Sequence, residues 1–252
     1  MNRAFLRRYL FALGASGYVF GGGFLRARHR GLIKQVCDHF GLQEGPVPRL
    51  PALAPEALDP QDLPVRLLET RPGDGNVSLQ ELLVLARSVA ARRPRLLLEL
   101  GTFDGRTTLN LAANATPEAR VLTLDLPRQA SAALALDARD AKYIDKPAPG
   151  ARFAGRPEAA KIEQLLGDSA RFDFSPWAGR VEWAFVDASH SYEYVRHDSR
   201  VVRGLLAPGG VVFWHDYGVW EGVTRALDEL QADPAFRGLS RVEGTSLVVL
   251  ET

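Results

Sequence analysis

Residues 96–108 read Leu-Leu-Leu-Glu-Leu-Gly-Thr-Phe-Asp-Gly-Arg-Thr-Thr, an apolar run that ends in a turn with two glycines. A short, mostly apolar run of this kind is typical of a parallel strand that is buried on both faces. The glycines allow the backbone to turn tightly and to approach a ligand closely. The stretch therefore predicts a strand, a turn and a helix, the repeating unit of an α/β sheet.

The same alternation continues along the chain. Ser78, with Glu81 three residues later, has the spacing of a capping box and predicts the start of a helix before the first strand. Further strands are predicted at 121–124, 162–166, 181–186 and 211–214, with helices at 106–113, 192–206 and 221–232. Two last strands near 239–242 and 247–250 are separated by a hairpin-length connection. We therefore predict a doubly wound α/β fold with a mostly parallel seven-stranded sheet and a terminal antiparallel hairpin.

The first 75 residues differ from the rest and predict an N-terminal helical extension or lid (1–75) before the main domain (76–252). An apolar run at 9–25 has arginines on both sides, loosely like a signal peptide or membrane anchor, but it is short and contains five glycines. A proline-rich stretch follows, and one helix is predicted at 30–40. We expect no membrane partner, and an arm that packs on the main domain or serves a homodimer.

The charge and cysteine content narrow the expected partners and location of the protein. The net charge of +1 supplies no overall attraction to nucleic acid, so we expect no nucleic-acid partner. Cys37 is the single cysteine, which excludes an intrachain disulfide and a thiolate metal cluster and fits a reducing, cytoplasmic location.

Five successive predicted strands each end at or next to an acidic residue. Ligands bind at the carboxyl ends of the strands in open α/β sheets. One acidic residue there can simply cap the next helix, but five in register favour a binding site. These residues are Glu99, Asp125, Asp168, Asp187 and Asp216.

Two parts of the chain resemble known methyltransferases. Glu99–Thr108 resembles motif I of class I methyltransferases. Phe185–Tyr192 (Phe-Val-Asp-Ala-Ser-His-Ser-Tyr), Asp198, the segment Leu205–Gly210 and His215-Asp216-Tyr217 resemble a bacterial family of small-molecule O-methyltransferases. That family is related to macrocin O-methyltransferase and, more distantly, to catechol and caffeoyl-CoA O-methyltransferases. The resemblance spans about residues 78–252 and implies a Rossmann-like methyltransferase.

The resemblance implies S-adenosylmethionine as the cofactor. Asp125 would accept the ribose hydroxyls, a role that a nicotinamide cofactor would also need, and Asp168-Ser169 would meet the adenine. The turn lacks the third glycine of the dinucleotide fingerprint. The expected cofactor-binding residues are Glu99, Gly101, Thr102, Gly105, Thr107, Asp125, Asp168, Ser169 and Asp187.

Metal-dependent relatives bind a divalent cation through residues at the ends of two strands, which correspond here to the predicted strands 181–186 and 211–214. Asp187 matches the first position, and His215 and Asp216 occupy the second. The histidine departs from the usual oxygen-only Mg²⁺ site and leaves room for Mn²⁺, Fe²⁺ or Zn²⁺, or for no metal.

His190 and Asp187 are the expected catalytic residues. Catechol-type relatives carry a lysine base where this chain has His190, and an imidazole can take a proton from a hydroxyl near neutral pH. Alternatively, His190 caps a helix or hydrogen-bonds Asp187.

Three aromatic residues, Tyr192, Tyr217 and Trp220, are expected to contact the acceptor, and residues 128–160 to form a lid or substrate wall. The expected function is methyl transfer to a hydroxyl of a small molecule. The alternatives are an N-methyltransferase, a donor-binding regulatory protein without turnover, and a nicotinamide-dependent oxidoreductase.

Overall fold

The protein is described from a computed structural model that covers residues 3–23, 25–39, 46–58, 61, 63–127, 132–144 and 148–252. The chain forms two compact units, residues 1–45 and 46–252. Residues 46–75 thus belong to the larger unit, and the boundary expected after residue 75 remains a prediction.

The smaller unit is a helical hairpin made of α1 (Arg3–Gly22) and α2 (Ala27–His39). The ring of His29 meets the edge of Tyr18 with centroids 4.9 Å apart, and Arg26 donates a 2.7 Å hydrogen bond to the Tyr18 hydroxyl. No residue of α1 is buried. α2 overlaps the helix predicted at 30–40, whose last residue lies outside the described part of the chain.

Across the described segments, no helix combines the length and the apolar character needed to cross a bilayer.

The larger unit contains a sheet with eight described strands. They are β1 (Ala52–Leu53), β2 (Leu96–Leu100), β3 (Arg120–Asp125), β4 (Ile162–Leu166), β5 (Val181–Val186), β6 (Leu206–Trp214), β7 (Ser240–Val242) and β8 (Val248–Glu251). Their order is β1-β7-β8-β6-β5-β2-β3-β4. β8 lies between β6 and β7 and is antiparallel to both, while the other neighbouring pairs are parallel. The predicted doubly wound α/β fold with its terminal hairpin is confirmed.

One strand more than predicted is present. β1 has only two residues and pairs in parallel with β7 at the edge of the sheet. It lies in the proline-rich stretch, and two residues are too few to show an alternation of apolar and polar side chains. Only its partner in the folded sheet reveals it.

Six α-helices lie in the described part of the larger unit. They are α3 (Pro55–Leu58), α4 (Leu79–Arg92), α5 (Arg106–Asn114), α6 (Ala141–Ile144), α7 (Tyr192–Leu205) and α8 (Glu221–Leu230). The predicted capping box at the start of α4 is present: the Glu81 amide donates to Ser78 Oγ, and the Ser78 amide donates to the Glu81 carboxylate. This reciprocal pair satisfies two amides that have no partner within the helix.

Both faces of the sheet are covered, as the apolar run of β2 predicts. Leu97 packs with Trp183 and Phe213 against α4 and α5, while Leu98 packs with Trp214 on the α7 and α8 side. Each of these side chains is at most 1% exposed. Burying a leucine side chain contributes about 1.5–3 kcal/mol, so the double-sided core holds the central strand ends firmly in place.

The order of the strands creates the site. From β2 the chain moves outward through β3 and β4 and then returns to place β5 on the opposite side of β2. The connections after β2 and β5 therefore leave in opposite directions and open a crevice at the carboxyl ends of the strands.

Candidate functional site

A cavity of about 270 Å³ occupies this crevice. Its wall includes residues from the carboxyl ends of five strands, β2 to β6, together with parts of the β3–β4 connection. Among them are Gly101, Asp125, Asp168, Ser169, Asp187, His215 and Asp216.

Gly101 lets β2 and β5 come together at the floor of the cavity. Its φ is +103°, and a Cβ atom at this position would lie 1.9 Å from the carbonyl oxygen of Asp187. The Asp187 amide donates a 2.8 Å hydrogen bond to the carbonyl of Leu100. Any side chain at 101 would therefore force apart the two strand ends that carry the site.

Two carboxylates expected to hold the donor lie on the cavity wall. Asp125 accepts a 2.7 Å hydrogen bond from the amide of Phe103. Asp168 accepts hydrogen bonds from the Tyr194 hydroxyl at 2.9 Å and from the Ala133 amide at 2.6 Å. The nucleoside part of S-adenosylmethionine offers hydroxyl and amino donors, which carboxylates such as Asp125 and Asp168 can accept.

Four other residues expected to bind the donor lie away from the cavity wall. Thr102 Oγ1 is 2.7 Å from Thr123 Oγ1, Thr107 is buried on α5, and Gly105 lies next to Phe153. Glu99 is fully buried beneath the turn. The turn thus contributes Gly101 and Phe103 to the cavity wall, while Thr102 and Glu99 lie beneath it and contact Thr123.

The carboxyl group of Glu99 lies in a closed pocket of its own. It accepts hydrogen bonds from the hydroxyls of Thr108 and Thr123, and its Oε1 has no hydrogen-bond partner in the described part of the chain. Burial outweighs the two hydrogen bonds and raises the pKa of Glu99 to about 8. At neutral pH this carboxyl group is therefore mostly protonated.

Three polar side chains meet on the other side of the cavity. Ligand atoms of Asp187, His190 and Asp216 all lie within 4.8 Å of one another. His190 Nε2 is 2.7 Å from Asp216 Oδ2. The imidazole also stacks on Trp220, with ring centroids 4.0 Å apart. His190 thus contacts the end of β6 through Asp216.

The other nitrogen of His190 is held by a residue that the sequence did not single out. His190 Nδ1 lies 2.5 Å from Asp140 Oδ1, and the His190 amide donates to Asp140 Oδ2. Asp140 is buried and lies at the start of α6, within the predicted lid at 128–160. It stands among alanines and charged residues in the sequence, so no local pattern distinguishes it from a solvated carboxylate.

His215 lies next to this cluster, between Asp187 and Glu81. Its Nδ1 is 3.2 Å from Asp187 Oδ1, and its Nε2 is 3.2 Å from Glu81 Oε2. The group of mutually close ligand atoms therefore contains His190 in the place that the sequence analysis assigned to His215. Glu81 is the residue that caps α4, so the capping box also anchors the floor of the site.

The carboxylates set the charge of both imidazoles. Burial lowers the pKa of His190, but hydrogen bonds to Asp140 and Asp216 and the charges of these carboxylates raise it to about 9. Burial also opposes the charged form of His215, yet the charges of Asp216 and Asp187 hold its pKa well above the ordinary value. Both rings are therefore protonated at neutral pH.

The pKa values of Asp187 and Asp216 shift in opposite directions. Burial is the largest influence on Asp187 and raises its pKa. Burial acts on Asp216 in the same sense, but the charge of His215 and the hydrogen bond from His190 lower its pKa below the ordinary value.

Of the three aromatic residues expected at the acceptor, one lines the cavity. Trp220 forms part of the wall. Tyr192 hydrogen-bonds Glu229 of α8, and Tyr217 accepts hydrogen bonds from the amides of Arg49 and Leu50. Tyr194, on the buried face of α7, lines the wall instead, because residues 192 and 194 point to different sides of a helix.

Comparison with known proteins finds a match to a protein family. Residues 98–217 match a protein family described as a methyltransferase domain. No curated protein matches the chain.

Two solved structures share the fold. One is the O-methyltransferase TomG from Streptomyces achromogenes, involved in tomaymycin synthesis and solved in complex with S-adenosylmethionine. It is 18% identical, with coverage of 73% of this chain and 92% of TomG and a TM-score of 0.50. The other is the Podospora anserina methyltransferase PaMTH1 bound to S-adenosylhomocysteine. It is 14% identical, with coverage of 70% and 79% and a TM-score of 0.53.

The fold, the site at the strand ends and the family match together define the class. The chain contains a methyltransferase domain. Its methyltransferase domain includes the segment 98–217, which runs from β2 to the residues that follow β6.

Proposed function

We propose that the enzyme transfers the methyl group of S-adenosylmethionine to a hydroxyl oxygen of a small molecule. The observation that carries this proposal is the cluster of Asp187, His190 and Asp216 on the cavity wall opposite the donor-side carboxylates. A hydroxyl must lose a proton when its oxygen forms the bond to the methyl carbon. The imidazole and the two carboxylates of the cluster would receive that proton.

The chain's contribution on the donor side is binding and alignment. Asp125 and Asp168 would hold the hydroxyl and amino groups of the nucleoside, and Gly101 leaves the floor open for close approach. When bound, S-adenosylmethionine supplies an electrophilic methyl group on a sulfonium and leaves as the neutral thioether. Much of the rate of such a transfer comes from holding both reactants in line.

On the acceptor side, the cluster fits a divalent cation. Asp187, His190 and Asp216 would hold the ion, and one imidazole with two carboxylates suits Mn²⁺, Fe²⁺ or Zn²⁺ better than a hard, oxygen-preferring ion. Histidines that bind metals usually donate their second N–H to a carboxylate, and Asp140 occupies that position on His190. A bound cation would lower the pKa of an acceptor hydroxyl.

The role of His190 as a general base stays a prediction, and it requires that the ring first loses its own proton. Because its pKa is about 9, the ring already carries a proton at neutral pH and accepts another group's proton only after losing its own. Without a cation, methyl transfer that depends on this base would therefore increase toward alkaline pH. Measurements of metal dependence and pH dependence therefore distinguish His190 as a metal ligand from His190 as a general base.

The test measures S-adenosylhomocysteine formation with S-adenosylmethionine and a panel of phenols, catechols, sugar hydroxyls and amines. We expect turnover with hydroxyl acceptors, and a dissociation constant for the donor in the micromolar range by calorimetry. Methylation of amines alone would favour N-methylation. Donor binding without turnover on any acceptor would favour the regulatory alternative, and NAD binding without S-adenosylmethionine binding would contradict the proposal.

A further inference from the structure

The α1–α2 hairpin exposes an apolar face that plays no part in the site. Helical geometry at about 100° per residue places Phe5, Leu6, Tyr9, Leu13 and Phe20 along one side of α1. These side chains are between 41% and 61% exposed. In a water-soluble helix such a stripe faces a core, so its exposure indicates that something else covers it.

The opposite side of α1 carries arginines beside two exposed aromatic residues, Phe11 and Tyr18, and the start of α2 is basic. Arg3, Arg7 and Arg8 are exposed on α1, and Arg26 and Arg28 are exposed at the hairpin. Residues 1–45 contain seven Lys and Arg and two acidic residues, Asp38 and Glu44, whereas the whole chain has a net charge of only +1. The basic charge is therefore concentrated in the unit that also carries the exposed apolar face.

The glycines that argue against an apolar segment in the sequence do not interrupt this face. Gly14, Gly17 and Gly21 lie within the continuous helix α1, and a Cβ atom at any of them would meet open space. They lie toward the side of the helix that carries Arg3 and Arg7. The apolar stripe consequently runs from Phe5 to Phe20.

We propose that the α1–α2 hairpin docks on the surface of an anionic lipid bilayer, with the face from Phe5 to Phe20 in the interfacial layer and the arginines on the headgroups. A helix that combines an exposed aromatic and aliphatic face with nearby arginines suits this position. This proposal replaces the sequence-based expectation of no membrane partner.

Two other occupants fit the hairpin less well. A second copy packed across a twofold axis would bring together two units that each hold seven Lys and Arg against two acidic residues. A nucleic acid would match the arginines but leave the apolar stripe in water. A bilayer with anionic headgroups matches both the charge and the apolar face.

The experiment is co-sedimentation of the full chain with vesicles of phosphatidylcholine alone or mixed with phosphatidylglycerol. We expect at least about tenfold tighter binding to the mixed vesicles at low salt, and a loss of most of this preference at high salt. The variant R3E/R7E/R8E should lose the preference. The matched control R171E/R200E/R237E makes the same charge change at exposed arginines of the larger unit and should keep it.

The apolar face is tested separately with F5S/Y9S/L13S, which should weaken vesicle binding about tenfold while leaving S-adenosylmethionine binding unchanged. Far-UV circular dichroism of each variant on vesicles reports whether α1 still forms. Equal binding to neutral and mixed vesicles, or no binding, would overturn the proposal. So would an equal loss in the control variant, or comparable affinity for duplex DNA. A dimer in solution that F5S/Y9S/L13S dissociates, without vesicle binding, would assign the face to a second copy.

Discussion

Asp140 Oδ1 lies 2.5 Å from His190 Nδ1, so a carboxylate from the β3–β4 connection holds a ring from the β5–α7 connection. The same aspartate accepts the His190 amide and the Ser189 hydroxyl. The other ring nitrogen then faces Asp216 and the cavity. Asp140 is thus a positioning residue for the acceptor side.

Replacing Asp140 by asparagine is expected to lower kcat/KM roughly tenfold to a hundredfold, the usual effect of removing a carboxylate behind a functional histidine. Loss of that charge should also lower the pKa of His190, which NMR titration of the ring measures. Asp173→Asn removes an exposed carboxylate that accepts a hydrogen bond from the Ser175 amide, and serves as the matched control. An unchanged pKa of His190 in D140N would contradict the positioning role.

The cluster is expected to bind a divalent cation, and Asp216→Asn should weaken this binding at least about tenfold. Titration of chelator-treated protein with Mn²⁺, followed by calorimetry or paramagnetic resonance, measures the affinity. Glu193→Gln, which removes an exposed carboxylate from the first turn of α7, should leave it unchanged. Equal Mn²⁺ affinity in D216N and the parent protein would show that the ion binds elsewhere.

The charged form of His190 is expected to stabilise the metal-free protein in a defined pH window. Its pKa is raised to about 9 in the folded state, so its contribution is complete below about pH 6.5 and is lost as the pH rises through about 9. The shift corresponds to about 3 kcal/mol. Urea unfolding from pH 6 to 10 should therefore show a smaller fall in unfolding free energy for His190→Gln than for the parent.

The same measurement with His197→Gln provides the comparison, since His197 is only partly buried and lies outside the cavity. If H190Q and the parent protein lost stability in parallel over this range, the pKa assigned to His190 would be wrong.

Glu99 is expected to destabilise the protein progressively as the pH rises. Its folded-state pKa of about 8 lies above the ordinary value of 4.5, so between these values the unfolded chain ionises while the folded protein keeps its proton. Unfolding free energy should decrease in this window by at most about 1.4 kcal/mol per pH unit. Glu99→Gln has no proton to lose and should show a shallower decrease.

Glu99→Asp provides a contrast to Glu99→Gln, because it keeps an ionisable group at the same buried position. Chemical denaturation of the three proteins from pH 5 to 8 measures the slopes. A Gln variant whose slope equals that of the parent would show that Glu99 is ionised in the folded protein.

The fold could be predicted from local patterns in the sequence. Buried strands such as Leu96–Leu100 are apolar along their whole length because helices cover both faces, and Ser78 with Glu81 marks a helix start within one turn. These signals depend on neighbours along the chain. The two-residue strand β1 lacked such a signal because its only support is its pairing with β7.

The sequence by itself determined the fold, the edge of the sheet that carries the site, and the acidic residues that gather there, since parallel strands bring their carboxyl ends to one edge. Only the tertiary structure decided which side chains touch. It brought Asp140 onto His190 from 50 residues away, placed His215 between Asp187 and Glu81, and put Tyr194 rather than Tyr192 on the cavity wall. Such contacts depend on how connections of different length cross in space, and no local spacing encodes that crossing.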